Sequence, residues 1–350
     1  MPEAGAHGRV VALLANFCWV ELDHPGPAGT NRLLCTRRTR LGKSGLQICS
    51  GDRVRVEGID WASGRAAVAE LLPRRSLLER PAVANATRIV VVVALAEPEL
   101  DPLQLTRFLI SAEATGQPVE LVFSKADLQD PALVSAWCER ARGWGYGPTA
   151  ISTATGFGVE TLRQRLSQPG LAVLCGPSGV GKSSLLNALR PELELRVGDV
   201  SGRLQRGRHT TRHVELFALA PAALVADSPG FNRPALPSDP AALANLFPEL
   251  RTQLAATSCR FSNCLHQGDP GCAVAPGWDR QALYGQCLLE LLAEAERQER
   301  RSPGPGVRQR GSRVEPRLEP RLRQASRRSQ RQQAGRDEPL EELSSPGPAG

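Results

Sequence analysis

Residues 176–183, GPSGVGKS, fit the spacing glycine, four residues, then Gly-Lys-Ser, and lie between an apolar segment at 171–175 and a helical pattern. Glycine at Gly176, Gly179 and Gly181 lets backbone N–H groups turn toward phosphate oxygens, and Lys182 is placed to reach the terminal phosphates. Ser183, at the start of the helix, can ligate Mg2+ through its hydroxyl. Pro177, Ser178, Val180 and Ser184 complete a loop whose chemistry is that of a nucleoside triphosphate site. A second cluster, CRFSNCLHQGDPGC, sets Cys259, Cys264, His266 and Cys272 in the pattern C-x4-C-x-H-x5-C. Three thiolates and an imidazole suit tetrahedral zinc with no open position, so the expected zinc site is structural.

The base and the γ-phosphate need further groups. Upstream of the phosphate loop, VELVF ends in Ser124, Lys125, Ala126 and Asp127. The Asp127 carboxylate would accept the N1 and N2 hydrogens of guanine while Lys125 lies along the base; adenine offers a different edge. Ser152, Thr153 and Ala154, in AISTATGFGVETL, fit a second base loop that works through its backbone. Downstream, RGRHTTRH at 206–213 supplies His209 and the Thr211 hydroxyl, the latter for Mg2+ and the γ-phosphate. ALVADSPGF then ends a strand in Asp227, suited to the Mg2+ water shell, followed by Gly230, whose N–H suits the γ-phosphate. Lysine occurs only at Lys43, Lys125 and Lys182, so two of the three fall in these motifs.

Their order is unusual. Ordinary small GTPases run phosphate loop, two switches, then the two base loops, whereas here the base loops come first. Such a circular permutation is tolerable where the original termini lie close together. It joins the second switch, at Asp227–Phe231, directly to the C-terminal segment, which γ-phosphate contacts could then move as a lever.

The elements that must position these residues follow from periodicity. RVVALL, CWVEL, RLLCT, DRVRVEGI and AAVAELL read as five short strands of a small barrel within residues 1–75, expected to be of the oligonucleotide-binding type, which spacing alone does not separate from an SH3-like one. Residues 76–237 alternate strands (89–95, 119–123, 148–152, 171–175, 213–219, 223–226) with helices, an α/β order with a mostly parallel sheet. From 238 to 300 strands are expected to vanish, and helices flank the cysteine loop. Residues 301–350 read as a disordered tail, with eleven arginines against two glutamates in 301–336, more than the whole chain's net charge of +7. Such a tail could hold an anionic partner or be an inert solvated extension. Arg37, Arg38, Arg40, Arg74 and Arg75 are candidate phosphate contacts for RNA. The longest strongly apolar run, IVVVVALA, is far short of the ~20 residues of a membrane span. Nine cysteines with only three clustered fit a reduced, cytoplasmic setting.

Barrel, permuted GTPase domain and Cys3His segment, in that order, resemble the bacterial ribosome small subunit-dependent GTPase A family (RsgA, also called YjeQ). The resemblance spans roughly residues 8–296 and rests on GPSGVGKSS, SKADL, GRHTTR, DSPGF and the Cys/His spacing. It implies a GTPase that binds GTP or GDP with Mg2+ and carries one structural zinc; the chain is further expected to be a cytoplasmic monomer that touches no membrane. Its implied partner is the small (30S) ribosomal subunit with its 16S rRNA, which stimulates hydrolysis late in subunit assembly and is then released. The family's common Asn-Lys-x-Asp is Ser124-Lys125-Ala126-Asp127 here, which predicts weaker nucleotide affinity with guanine choice kept by Asp127. Phe231 and Asn232 follow Gly230 where a water-positioning glutamine often stands, so unassisted hydrolysis should be slow, near or below ~10⁻³ s⁻¹. The resemblance makes His209 the candidate for aligning water. Two rival readings share these residues: a P-loop ATPase or small-molecule kinase, and a nucleic-acid-binding switch without ribosome-triggered turnover.

Overall fold

The computed structural model describes residues 5–37, 47–79, 82–193, 214–227, 234–301, 307–310 and 313–316. Five strands, β1 (Ala6–Leu13), β2 (Phe17–Leu22), β3 (Arg32–Arg37), β4 (Arg53–Asp60) and β5 (Arg65–Leu71), close into a barrel in the order β1-β2-β3-β5-β4. Period-2 patterning drives the closure: Val10, Cys18, Val20, Leu33, Cys35, Val54, Val56 and Val68 are completely buried inside it. β3 runs parallel to β5, and β4 lies antiparallel to both β5 and β1. That closure is the oligonucleotide-binding arrangement and settles the choice that strand spacing left open.

A hairpin that periodicity did not reveal, β6 (Leu77–Glu79) with β7 (Ala82–Ala84), follows the barrel. Next comes a six-stranded sheet in the order β10-β9-β8-β11-β13-β12. Its strands are β8 (Arg88–Ala94), β9 (Val119–Ser124), β10 (Thr149–Ala150), β11 (Gly170–Cys175), β12 (Glu215–Ala220) and β13 (Ala223–Asp227). All pairings are parallel except β12 with β13. The apolar run at β8 is explained by burial on both faces. Ile89, Val91, Val93 and Leu95 join Leu105, Phe108, Phe123 and Trp144 on one side, while Val90, Val92 and Ala94 join Leu162, Leu185 and Leu186 on the other.

Helices α1 (Pro102–Glu113), α2 (Pro131–Gly143), α3 (Val159–Leu166) and α4 (Lys182–Leu189) cover the sheet. Two begin with Asp-Pro: Asp101 and Asp130 accept hydrogen bonds from Leu103 N (2.8 Å) and Ala132 N (2.7 Å), with proline at the first helical position. The same device at Asp239 starts a 3-10 turn over Pro240–Leu246. Helix α5 (Pro248–Ala256), the cysteine loop and α6 (Gln281–Arg301) follow.

Barrel, hairpin and sheet share apolar packing, since Val11, Leu78, Val83, Val214 and Leu216 belong to one buried cluster with β8. The completely buried Ser50 hydroxyl donates to Val214 O at 2.6 Å. Residues 1–291 form one compact unit and 292–350 a second. In the second, β14 (Val307–Arg310) and β15 (Arg313–Pro316) pair antiparallel within the expected tail, whereas the described residues of 238–300 hold no strand, as expected. The rest of the expected tail lies outside the described residues.

Candidate functional site

Parallel strands deliver their C-terminal ends to one edge of the sheet, where ligands of open α/β folds bind. β11 leads into the phosphate loop, β9 into Ser124–Asp127, β10 into Ser152–Ala154, and β13 ends at Asp227. Sequence-distant motifs thus meet at one edge. Gly176, at φ +141°, abuts β8: a Cβ there would stand 1.9 Å from Val92 O. Gly179 and Gly181 also have positive φ, +82° and +90°, which glycine adopts without steric cost. Gly176, Pro177 and Val180 are buried, whereas Ser178 and Gly179 are exposed at the loop tip. Gly181 caps α4 with no side-chain hydrogen bond, and Ser183 and Ser184 lie in its first turn.

Lys182 is half-buried, and its ammonium donates to Gly176 O (2.8 Å) and Pro177 O (2.6 Å). Burial holds its pKa below the ordinary lysine value, while the Asp227 charge works in the opposite direction. A phosphate arriving here replaces carbonyl dipoles with full negative charge around a cation already stripped of much of its water.

The base loops are fastened to each other and to the phosphate loop. Ser124, 4% exposed, places its Oγ 2.6 Å from Val180 O and 3.2 Å from Val93 O. The short serine therefore reaches the phosphate loop directly from the end of β9. Ala126 N donates to Ile151 O at 3.0 Å, tying the first base loop to the second. Ser152 is completely buried, and its Oγ accepts from Thr155 N at 3.1 Å, shaping the turn that leaves Thr153 and Ala154 exposed. Asp127 lies in a 3-10 turn (Ala126–Leu128) at a cleft of about 800 Å³ shared with Thr155, Phe157 and Arg142. Lys125 adopts left-handed backbone, φ +54°.

His209, Thr211 and Gly230 lie outside the described residues, as do Arg38 and Arg40. Arg74, read as a phosphate contact, is committed elsewhere: it grips the completely buried Asp52 at 2.7 and 2.8 Å. A buried carboxylate needs that partner. Arg75 is exposed.

The four metal-ligand candidates converge, their ligand atoms all within 4.8 Å of one another. Cys259, Cys264 and Cys272 place sulfur 3.5, 3.8 and 3.6 Å from His266 Nδ1. With metal–S about 2.3 Å and metal–N about 2.1 Å, a tetrahedron edge is roughly 3.6 Å, so the cluster has the dimensions to coordinate a metal ion through Nδ1. Each sulfur also accepts a backbone N–H: Ala273 to Cys259 (3.2 Å), His266 to Cys264 (3.4 Å) and Val274 to Cys272 (3.4 Å).

Two features had no local sequence signal. Arg280, completely buried, pairs through Nε and Nη2 with Glu249 (2.7 and 2.5 Å) and sits 4.6 Å from the ring centroids of both Trp144 and Phe247. Beside it, Asp279 accepts from Arg140 (2.7 and 2.9 Å) and Trp144 Nε1 (2.6 Å), and these bonds hold its carboxyl below the usual range. Phe247 and Tyr284 stack edge-on at 5.3 Å, and Tyr284 donates to Leu265 O at 2.9 Å, one residue before His266. The cysteine loop is thereby pinned to the end of α2. The second feature is the β8–α1 loop, Leu95–Asp101, lying between the first base loop and the phosphate loop.

Residues 71–237 match the family described as RsgA GTPase. A protein of Synechococcus sp. (strain CC9605) named small ribosomal subunit biogenesis GTPase RsgA is 58% identical over 285 residues, covering 81% of this chain and 94% of that protein. A protein of the same name from Trichormus variabilis (strain ATCC 29413 / PCC 7937) is 48% identical over 307 residues, covering 82% of each. Among solved structures, YjeQ from Thermotoga maritima superposes with a TM-score of 0.67 at 29% identity, covering 82% of this chain and 99% of that one. YloQ, described as a circularly permuted GTPase, gives 0.63 at 26% identity, covering 86% and 97%.

Proposed function

The chain belongs to the RsgA family of circularly permuted GTPases, and from that premise we propose that it binds the small ribosomal subunit and hydrolyses GTP when the subunit stimulates it, acting late in subunit maturation. The names of its relatives support the partner. The observation that carries the enzymatic half is the Ser124–Val180 hydrogen bond, which joins a guanine-type base loop to a phosphate loop at one sheet edge.

In this reading Gly176–Ser184 cradle the phosphates, Lys182 neutralises the β- and γ-phosphates, and Asp127 with Lys125 selects guanine, Ser152–Ala154 closing the base slot. Ser183 and Thr211 would hold Mg2+, with Asp227 on its water shell; the ion neutralises charge on the transferred phosphoryl group. Gly230 N–H would bind the γ-phosphate, and His209 would orient the attacking water once the subunit orders its loop. Cys259, Cys264, His266 and Cys272 would hold one structural zinc, which closes the loop and leaves no position for substrate. The barrel, residues 1–75, and the cysteine segment, within 238–300, would face 16S rRNA, with the GTPase domain at 76–237 between them. The protein would act as a cytoplasmic monomer.

The test is GTP turnover by the full chain at fixed salt, alone and with small or large subunits. Strong stimulation by small subunits alone is expected. Equal rates in all three refute subunit-triggered hydrolysis, and equal binding of ATP and GTP refutes the guanine assignment.

A further inference from the structure

The end of β8 stands between the end of β9, which carries Ser124–Asp127, and the end of β11, which carries the phosphate loop. The loop that leaves it, Leu95–Asp101, has no part in the reading above, yet it touches both neighbours. Leu95 N donates to Ser124 O at 3.1 Å, and Gln129 Nε2 donates to Leu95 O at 3.1 Å. Pro98 Cδ lies 3.8 Å from where a Cβ on Gly179 would stand. The Lys125 ammonium donates to the carbonyl of Glu97.

Both partners of that last bond have left-handed backbone, φ +54° at Lys125 and φ +50° at Glu97. For a residue with a Cβ this conformation crowds the carbonyl oxygen and is sparsely populated. Two such residues, on adjacent loops and bonded to each other, mark a place where the fold holds an unfavourable geometry for a reason. Glu97 itself is exposed, so burial of its side chain does not supply that reason.

The geometry of Lys125 does. Its four-carbon stem is flexible, and a ligand that had to order it would lose affinity to that ordering. With the ammonium held on a carbonyl, the stem becomes a preset wall beside Asp127. We propose that Glu97 is a positioning residue for the guanine base: its left-handed backbone presents the carbonyl that holds Lys125 alongside the slot. The inference rests on the guanine-nucleotide reading of the site and adds a loop and a residue to it.

The carbonyl cannot be deleted by substitution, but the backbone conformation that presents it can be biased. Glycine adopts φ > 0 freely, whereas a β-branched residue resists it. The experiment compares full-length wild type, Glu97→Gly and Glu97→Val, each with Lys125 and with Lys125→Met, by equilibrium titration of fluorescent GDP. Thermal unfolding of each variant is followed in parallel. With Lys125 present, Glu97→Val should weaken GDP binding about three- to tenfold, from forcing a β-branched χ1 off its preferred well at φ > 0, while Glu97→Gly stays within about twofold. With Lys125→Met, Glu97→Val should have no further effect. Should Glu97→Val unfold, the β-branched but polar Glu97→Thr replaces it and must show a loss with the same dependence on Lys125. A loss equal in both backgrounds, or no loss with Lys125 present, overturns the proposal while leaving guanine recognition intact. Wild type that binds ADP as tightly as GDP overturns both.

Discussion

Replacing Ser124 with alanine removes one hydroxyl from the joint between the base loop and the phosphate loop. The hydroxyl has a single hydrogen and two acceptors, and the 2.6 Å approach to Val180 O identifies the bond it makes over the 3.2 Å approach to Val93 O. A buried hydrogen bond contributes about 0.5–1.5 kcal/mol net, and up to about 3 kcal/mol where its loss strands a buried acceptor. Val180 is 1% exposed, so water does not readily replace the donor. The bond lies wholly within the chain, so a first consequence of Ser124→Ala is lower stability of the protein by about 1–2 kcal/mol. A second follows from preorganisation: a loop released from its tether must be reordered by the ligand, so affinity falls by no more than the tether's own energy, roughly tenfold for 1.4 kcal/mol. Ser124→Thr, which keeps the hydroxyl, should lose less. Titration and stopped-flow release of fluorescent GDP, alongside chemical denaturation, separate the two effects. Unchanged affinity and unchanged stability in Ser124→Ala would refute the tether; lost stability with unchanged affinity would refute its role in preorganising the phosphate loop.

Arg280→Ala strands Glu249 in a poorly hydrated site and should cost about 3–5 kcal/mol in chemical denaturation. Arg280→Met combined with Glu249→Met should cost less than the sum of the two single changes, and additive losses would show that the pair is not coupled. Chelation of the metal at Cys259, Cys264, His266 and Cys272 should lower the melting temperature and expose three thiols to a thiol reagent; unchanged melting would refute a structural role. Burial is the first cause pushing the Cys264 thiol up to about 11, so metal uptake should release protons in weakly buffered solution and weaken as pH falls. Burial holds the Lys182 pKa below the ordinary lysine value, so GDP affinity should fall as pH rises through that lowered pKa, and Lys182→Ala should bind weakly and lack that fall. For the nucleotide-free fold the sign reverses, because burying the charged amine costs stability below its folded pKa and the cost is relieved above it.

The parts legible in the sequence are those whose signal is local. The phosphate loop needs its glycines and lysine within eight residues, the metal cluster its four ligands within fourteen, and β8 its unbroken apolar run. The oligonucleotide-binding barrel was the expected type, but spacing alone did not separate it from an SH3-like one, because the parallel β3–β5 pairing that decides it is a long-range contact. Arg74 looked like its neighbour Arg75; only the fold brings buried Asp52 to it. Arg280 sits in an unremarkable stretch, GWDRQ, and its aromatic walls come from Trp144 and Phe247. Glu97 was invisible for a different reason: a carbonyl has no residue type, so a role carried by backbone leaves no mark on composition or spacing.

The apolar seam shared by Val11, Leu78, Val83, Val214 and Leu216 bears on how the protein can be dissected. Removing the barrel would bare Leu78, Val83, Val214 and Leu216 to water and deprive Val214 of its bond from Ser50. A truncated chain would therefore carry a new sticky surface beside the strand that enters β12. Lost activity in such a fragment would report damage to the GTPase core as much as absence of an RNA-binding surface. Point changes on the barrel's outer face are the cleaner dissection, because they alter what the barrel meets and leave intact what it supports.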